Sequence, residues 1–307
     1  MKTKTLYSYI LMMAVAMGAS VAQAADKYLP FSLGSESAGS IADQLAPTKA
    51  ALEANGFVIA GEYSPYDGAH IVVVTNDELK AAAKGNRGGY IAAQRVSLTE
   101  MAGKVQVSYT NPFYMAKAYR IASELKATSA ALQTALGHVK DFGPDEGLTV
   151  KKLGKYHYTF GMEYFDEPLS LANAGSRDAL VNTIEKNLAA NKGGASKVYR
   201  IDIPGTTQTL FGIGMKAPNE GKKYMDEGFI MSEIDFKPTR STAHLPYEIL
   251  VNGNEAEALH ARFRIAINFP DLSMMGDNSF MNIMSTPDAI RDVLTNVAGG
   301  QVSDSDF

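Results

Sequence analysis

The chain of 307 residues contains no cysteine. A protein without cysteine has no disulfide, no thiolate nucleophile, no iron–sulfur cluster and no covalently attached c-type haem. It also has no site for the acylation that anchors a lipoprotein. Its stability must therefore come from an apolar core, which a chain with 46% hydrophobic residues is long enough to build.

Long hydrophobic runs are scarce as well. Residues 1–24 begin with two lysines near the N-terminus, continue with an apolar run from Ile10 to Val15 and end in Ala22-Gln23-Ala24. This order is typical of a secretory signal peptide, with cleavage expected after Ala24. The run is shorter than the ~20 residues that a membrane-spanning helix needs. We therefore expect an exported, most simply periplasmic, protein with no membrane span once the signal peptide is removed.

Blocks of basic residues are missing too. The formal net charge is -4, and loss of Lys2 and Lys4 with the signal peptide, which contains no acidic residue, would make it -6 (-4 - 2). A mildly acidic chain without Lys/Arg blocks argues against nucleic acid or an anionic membrane as partner. A small molecule or a protein of the cell envelope is the expected partner.

The motifs of common enzyme classes are absent. The five histidines include no His-x-x-x-His pair, and no G-x-S-x-G sequence accompanies them, so zinc and serine hydrolysis have no signature. Gly212-x-Gly214-x-x-Ala217 follows a predicted strand, but the next helix is short and no parallel crossover is evident, which argues against a dinucleotide loop. No cofactor is predicted.

One order of secondary structure elements is predicted in the first half of the chain. Alternating and β-branched residues predict the strands, and helical spacing predicts the helices. The helix over 40–56 either kinks or begins at Pro47, and the final hairpin turns at Ala102-Gly103. The elements are a strand at 28–33, a helix at 40–56, strands at 57–63 and 70–75, a short helix at 76–85, and a hairpin of 90–101 with 104–109.

The second half repeats this order with larger loops. Ser176 is the expected N-cap of its long helix. The elements are a strand at 155–162, a helix at 176–194, strands at 197–203 and 209–215, a short helix at 218–228, an added strand at 229–236, and a hairpin of 245–251 with 258–267. The agreement indicates an internal duplication, and chance similarity between generic αβ patterns is the alternative.

These patterns predict an α+β fold made of two tandem αβ repeats, each an antiparallel sheet with helices on one face. Helical spacing from Pro112 to Val139 predicts a linker helix, and Gly143-Pro144 breaks it. We place the signal peptide at 1–24, the first αβ repeat with its linker helix at 25–143, the second αβ repeat with a C-terminal helix at 144–298, and a disordered tail at 299–307. The C-terminal helix is predicted to have Thr286 as its N-cap and Pro287 as its first residue, and to end at Gly299.

The first half resembles the bacterial family called domain of unknown function 302. The resemblance rests on "NGF" at 55–57, on "IVVVTNDELKAAA" and on "GKVQVSYTNP", and it covers Tyr28 to Leu125 and, more weakly, Lys155 to Met275. Members typically carry a proline in the strand before the hairpin turn, which Pro246 matches and the first half lacks. Many members also carry a cysteine near that proline, which this chain does not have. The resemblance implies a compact αβ fold and no particular activity.

Two similar segments lie at the ends of predicted strands. They are "KVQVSYTNPFYM" from Lys104 and "FRIAINFPDLSMM" from Phe263. Asn111 can cap a helix whose first residue is Pro112. The alternative is that Tyr109 and Asn111 contact a ligand.

The densest group of polar and aromatic residues runs from Lys155 to Glu167. On a strand, Tyr156 and Tyr158 would share one face and His157 would lie on the other. One interpretation makes the tyrosines a core face. The other places all three beside a ligand groove with the acidic residues that follow them, Glu163, Asp166 and Glu167. The candidate ligand-binding residues are Tyr109, Asn111, Tyr156, His157, Tyr158 and Asp166.

Four methionines, Met274, Met275, Met281 and Met284, fall in one short segment. Thioethers bind cuprous copper, and a chain without cysteine would depend on them for that metal. The alternative is that these flexible side chains fill gaps beneath a loop. Copper is therefore a candidate metal, with no other cofactor expected.

The leading functional hypothesis is an exported ligand-binding or accessory protein with a cleft between its repeats. A contrasting hypothesis is an exported hydrolase or isomerase that needs no cofactor and uses carboxylates with His157 as acid and base. A structural interaction protein of the envelope is a third, and it would expose an apolar patch. The sequence leaves open whether the protein is an enzyme.

Overall fold

A computed structural model of the chain describes residues 25–302. The predicted signal peptide and the last residues of the predicted tail lie outside this range. The described part contains strands β1 (Lys27–Tyr28), β2 (Phe31–Ala38), β3 (Val58–Tyr63), β4 (Ala69–Thr75), β5 (Gln94–Met101), β6 (Lys104–Thr110), β7 (Lys140–Phe142), β8 (Leu148–Thr149), β9 (Leu169–Asn173), β10 (Ala195–Asp202), β11 (Gln208–Met215), β12 (Tyr247–Asn252) and β13 (Glu255–Ala258). Its α-helices are α1 (Ile41–Ala54), α2 (Asp77–Ala82), α3 (Pro112–Ala118), α4 (Lys126–Leu136), α5 (Val150–Leu153), α6 (Arg177–Ala189), α7 (Glu227–Ile234), α8 (Ala261–Asn268) and α9 (Thr286–Ala298).

Eleven of the strands form one sheet, in the order β7-β2-β6-β5-β4-β3-β10-β11-β12-β13-β9. Every neighbouring pair in it is antiparallel. Strands β1 and β8 make a separate small antiparallel pair. The predicted α+β class is therefore confirmed.

The two halves contribute their strands in the same order. The first half gives β2-β6-β5-β4-β3 and the second gives β9-β13-β12-β11-β10, so the sheet is continuous where β3 pairs with β10. Gly61 of β3 lies opposite Tyr199 of β10, and a Cβ at Gly61 would collide with the carbonyl oxygen of Val198. Glycine is therefore needed where the halves meet. The duplication itself stays a prediction.

Several element boundaries follow the predicted signals. Ser40 caps α1 in a capping box with Asp43. Pro47 lies inside α1, so the helix does not begin there. Ala102 and Gly103 both have positive φ, of 52° and 77°, as the tight turn between β5 and β6 requires.

The two predicted caps of the second half have different outcomes. The Ser176 side chain accepts a hydrogen bond from the Ala179 N–H and caps α6, as predicted. The last helix, α9, has Ser285 rather than Thr286 at its N-cap, and it ends as predicted at Gly299, where φ is 86°.

Four predicted elements are wrong. Residues 155–162 form turns instead of a strand, and the edge strand β9 comes later in the chain. Residues 229–236 belong mostly to α7, because Asp226 caps a helix there. The second hairpin strand ends at Ala258, and α8 takes up most of the predicted 258–267 strand. The linker helix is divided into α3 and α4 by positive φ angles at Arg120 and Leu125.

The sheet is covered on both faces. In the first half, α1 and α4 pack over one face, where Leu52 and Leu132 meet Val72 and Val74. The opposite face is covered by the other half, because the 3-10 turn Thr242–His244 packs against β4, β5 and β6. Reciprocally, the 3-10 turn Gly88–Ile91 packs against β11 and β12. In the first half, α1 and α4 thus cover one face of the sheet, and a turn of the second half covers the other.

Candidate functional site

An open cleft of about 650 Å³ lies beside α5, and we call it the lysine cleft. Its volume falls in the range of small-molecule sites, roughly 300 to 1,000 Å³. Three segments meet there: β8 with α5, the turn segment that follows α5, and the proline after α8. The residues that line it are Leu148, Thr149, Lys151, Lys152, Lys155, Tyr156, His157, Tyr158 and Pro270.

The basic wall of the cleft is set by the short helix α5. The Thr149 side chain caps it by accepting a hydrogen bond from the Lys152 N–H at 3.3 Å. Leu153 is buried and anchors this single turn in the core. Lys151 and Lys152 are then left exposed at the mouth of the cleft, and Lys155 follows just after the helix.

The aromatic wall is fixed by two hydrogen bonds to backbone carbonyls. The Tyr156 hydroxyl donates to the Ala266 carbonyl at 2.9 Å, and the Tyr158 hydroxyl donates to the Leu272 carbonyl at 2.7 Å. Burial raises the pKa of both phenols, and the nearby Asp271 charge raises it further. Both hydroxyls therefore stay protonated and act as donors. Their hydrogen bonds join the turn segment that follows α5 to α8 and to the residues after α8.

His157 is held in place from two sides. Its Nδ1 lies 2.9 Å from the Thr159 carbonyl oxygen, which can only accept, so Nδ1 carries a proton. Its ring lies against the Tyr164 ring, with 4.5 Å between centroids. Within residues 25–302 no hydrogen bond to Nε2 is found, and this nitrogen can accept on the neutral ring or donate on the protonated one.

The charged residues that line the cleft are lysines. Among residues 25–302, no carboxylate forms an ion pair with Lys151, Lys152 or Lys155, and none of the described lining residues is acidic. The neighbouring acids have other cations as partners. Glu146 lies 2.5 Å from Lys27 and Asp271 lies 2.7 Å from Lys237.

Three of the six predicted ligand-binding residues, Tyr156, His157 and Tyr158, line this cleft. Tyr109 is instead buried in the core, where its hydroxyl donates to the Gly137 carbonyl. Asn111 caps α3 by accepting from the backbone N–H of Phe113 and Tyr114, so the capping interpretation is confirmed. Asp166 accepts both guanidinium hydrogen bonds of Arg120 at 2.7 Å.

The carboxylates suggested for acid–base chemistry have partners other than His157. Glu163 lies 3.3 Å from His260 Nε2 and 3.5 Å from Arg262. Glu167 accepts from the Tyr164 N–H at 2.9 Å. Across the described part of the chain, no group of three or more His, Asp or Glu side chains could hold a metal ion.

The three lysines that line the cleft are not among the residues predicted from the sequence. A signal was present, because three lysines fall within the five residues 151–155, directly before the aromatic group. This cluster is too short to count as a block of basic residues.

The four predicted methionines lie at the surface, with side chains 46%, 71%, 50% and 68% exposed in chain order. The gap-filling interpretation is therefore wrong, because gap-filling side chains would be buried. Met274, Met281 and Met284 line one groove of about 330 Å³ together with Met162, and Met275 is not among its lining residues.

A cluster of charged side chains is buried where the two halves meet. Glu248 Oε1 lies 2.7 Å from Arg95 Nη1 and accepts from the Tyr199 hydroxyl at 2.7 Å. Arg264 Nη2 lies 3.6 Å from Glu248 Oε2 and donates to the carbonyls of His244 and Pro246. These groups bind one another, so the cluster joins the two halves.

Comparisons with known proteins give no relative. No family model, no curated protein and no solved structure matches the chain. The resemblance to the domain of unknown function 302 family therefore stays a prediction. Between residues 25 and 302, no helix has both the length and the apolar character needed to cross a bilayer.

Proposed function

We propose that the protein is an exported binding protein whose ligand is a small molecule with a carboxylate or phosphate group, held in the lysine cleft. One observation carries this proposal. Three lysines that form no ion pair with a carboxylate of residues 25–302 line a cleft of ligand size without an acidic lining residue, in a chain whose net charge is negative. An anionic ligand would supply the missing counter-ion.

The energetics favour recognition of more than a lone ion. A single exposed ion pair contributes only about 0 to 1 kcal/mol, and physiological salt screens it over roughly 8 Å. Several lysines acting on one anion add their contributions, and the tyrosine and histidine rings offer area to the apolar part of the ligand. His157 Nε2 adds one directional hydrogen bond. We therefore expect a ligand that combines an anionic group with a ring or an apolar body.

Other features agree with this proposal. The N-terminal segment has the order of a signal peptide, which indicates export. The equal strand order of the two halves supports the proposed duplication. The hydrolase or isomerase alternative is not favoured by any contact, because Glu163, Asp166 and Glu167 have other hydrogen-bond or ion-pair partners.

The test replaces the three lysines together. Calorimetric titration with inorganic phosphate, citrate and benzoate would be run on the chain from Ala25, alongside native mass spectrometry of the protein from its exported fraction. Lys151→Gln/Lys152→Gln/Lys155→Gln should weaken binding of the best probe by about tenfold or more, equivalent to ~1.4 kcal/mol. Wild-type binding should also weaken as salt is added.

The matched control is Lys84→Gln/Lys192→Gln/Lys216→Gln, which removes the same charge from three exposed lysines elsewhere. Its affinity should stay within about twofold of wild type. Equal losses in the two triple variants would reduce the effect to net charge alone. Absence of any bound anion, together with no response to the probes, would contradict the proposal.

A further inference from the structure

We propose that a second site, the methionine groove formed by Met162, Met274, Met281 and Met284, binds a soft monovalent metal cation, Cu(I) or Ag(I), through thioether sulfurs. These four side chains line one groove of about 330 Å³. The site is separate from the lysine cleft, because the two share none of the lining residues described for them. It does not depend on the function proposed above.

Backbone hydrogen bonds hold two of the methionines next to each other. The Met281 N–H donates to the Met274 carbonyl at 3.2 Å, and the Phe280 N–H donates to the Ser273 carbonyl at 2.9 Å. Within this closed loop, the Ser279 hydroxyl donates to the Gly276 carbonyl at 2.7 Å. The groove is thus built on a loop closed by hydrogen bonds, and Met284 follows one turn later in the chain.

The exposure of these side chains needs an explanation. Met274, Met281 and Met284 are about half or more exposed, whereas most of the apolar residues that the structure describes lie in the core. Burial of an apolar side chain contributes about 1.5 to 3 kcal/mol, so four methionines converging on an open groove forgo part of that gain. Coordination of a metal by sulfur would offset this loss.

The charges in the groove favour a soft cation over a hard one. Arg262 lies in the wall, but Glu163 is 3.5 Å from its guanidinium, and the carboxylate of Asp288 also lines the groove. The described groove residues include no histidine and only one carboxylate, so the oxygen and imidazole ligands preferred by Mg²⁺, Ca²⁺ or Zn²⁺ are not assembled there. Thioethers are soft ligands that select Cu(I).

An apolar partner docking on the same methionines is the competing occupant. Leucine distinguishes the two, because it keeps the apolar surface and nearly the volume of methionine while it removes the sulfur. A Leu variant should therefore keep an apolar partner and lose a metal.

The experiment titrates Ag⁺, which needs no reductant, into the chain from Ala25 and follows the ¹³C signals of the methionine methyl groups. We expect one bound Ag⁺, with shifts in the four groove methyls and none in Met275. Met162→Leu/Met274→Leu/Met281→Leu/Met284→Leu should bind Ag⁺ at least about 100-fold more weakly, equivalent to ~2.7 kcal/mol. Competition with bicinchoninate without oxygen gives the same comparison for Cu(I).

Met275→Leu is the matched control, since it removes an even more exposed thioether from the same segment. It should bind Ag⁺ within about twofold of wild type. Met274→Leu/Met281→Leu serves if the fourfold variant does not fold. The proposal is overturned by unchanged Ag⁺ affinity in the Leu variants, by an equal loss in Met275→Leu, or by wild-type shifts spread over methionines outside the groove.

Discussion

Glu227 illustrates at the residue scale how burial changes the chemistry of a side chain. It is 1% exposed at the start of α7, and it accepts a hydrogen bond from the Tyr63 hydroxyl at 3.1 Å. Burial raises the pKa of this carboxyl to about 8, although the bond from Tyr63 opposes the shift. The folded protein therefore holds Glu227 protonated at neutral pH.

The sign of the resulting pH dependence is fixed. A folded-state pKa above the unfolded value contributes stability that is fully present below about pH 4.5 and is lost as the pH rises through about 8. Glu227→Gln should match wild type near pH 5 and exceed it near pH 9, by on the order of 4 kcal/mol in the free energy of unfolding. Urea denaturation at the two pH values measures this, with the exposed Glu53→Gln as control. A Gln variant that is less stable than wild type at pH 9 would contradict it.

Single residues of the site were predictable where the signal was local. Asn111 precedes Pro112, and that pair alone predicts the helix cap that the structure has. Tyr109 belongs to a strand whose side chains are buried on both faces. A tyrosine there is equally compatible with a place in the core and with contact to a ligand, so the residue type alone does not distinguish the two. The pairing of Asp166 with Arg120, 46 residues away in sequence, depends on the tertiary fold, and no short-range pattern indicates it.

At the scale of elements, the segment 155–162 shows why a strand was predicted and a turn formed. Its aromatic residues at alternate positions have the composition of a strand. In the structure, the hydroxyls of Tyr156 and Tyr158 donate to carbonyls that are distant in the sequence, and Gly161 has a φ of 82°. A pattern of side-chain types does not specify such long-range partners.

Tyr158→Phe tests this anchoring. The change removes the 2.7 Å hydrogen bond to the Leu272 carbonyl and little else. We expect a loss of about 1 kcal/mol in the free energy of unfolding, because a net hydrogen bond contributes about that much. Amide hydrogen exchange should speed up in residues 155–162 and not in α6. Unchanged exchange in the loop would show that this hydrogen bond does not anchor it.

At the scale of the whole molecule, the two halves share a buried ion network. Arg95 is 1% exposed and its carboxylate partner Glu248 is 4% exposed, and they come from opposite halves of the chain. Both are polar residues within predicted strands, and no local pattern indicates that they pair. The order of strands within each half was largely predictable from local patterns, whereas the joining of the halves into one sheet was not.

Glu248→Ala should destabilise the protein by about 3 to 5 kcal/mol, because it leaves Arg95 and Arg264 buried without their carboxylate. Glu62→Ala, which breaks a surface pair with Lys49 at 2.7 Å, should cost less than about 1 kcal/mol. Equilibrium denaturation of both variants gives the comparison. Arg95→Met/Glu248→Leu should recover part of the loss, and a Glu248→Ala cost as small as that of Glu62→Ala would show that the network is not needed.

The reciprocal covering of the two halves has a consequence for biosynthesis. The turn Thr242–His244 covers one face of β4, β5 and β6. The ribosome adds this turn more than a hundred residues after β6. At roughly 5 to 20 residues per second, the early half spends about 7 seconds or longer with this face, which carries Arg95, Ser97 and Thr99 of β5, uncovered and with the edge of β3 unpaired. During that interval β3 of one nascent chain can pair with β3 of another, as any exposed edge strand can. Timely arrival of the second half, or a chaperone that occupies the face until then, decides whether the chain completes its own sheet or joins a neighbour's.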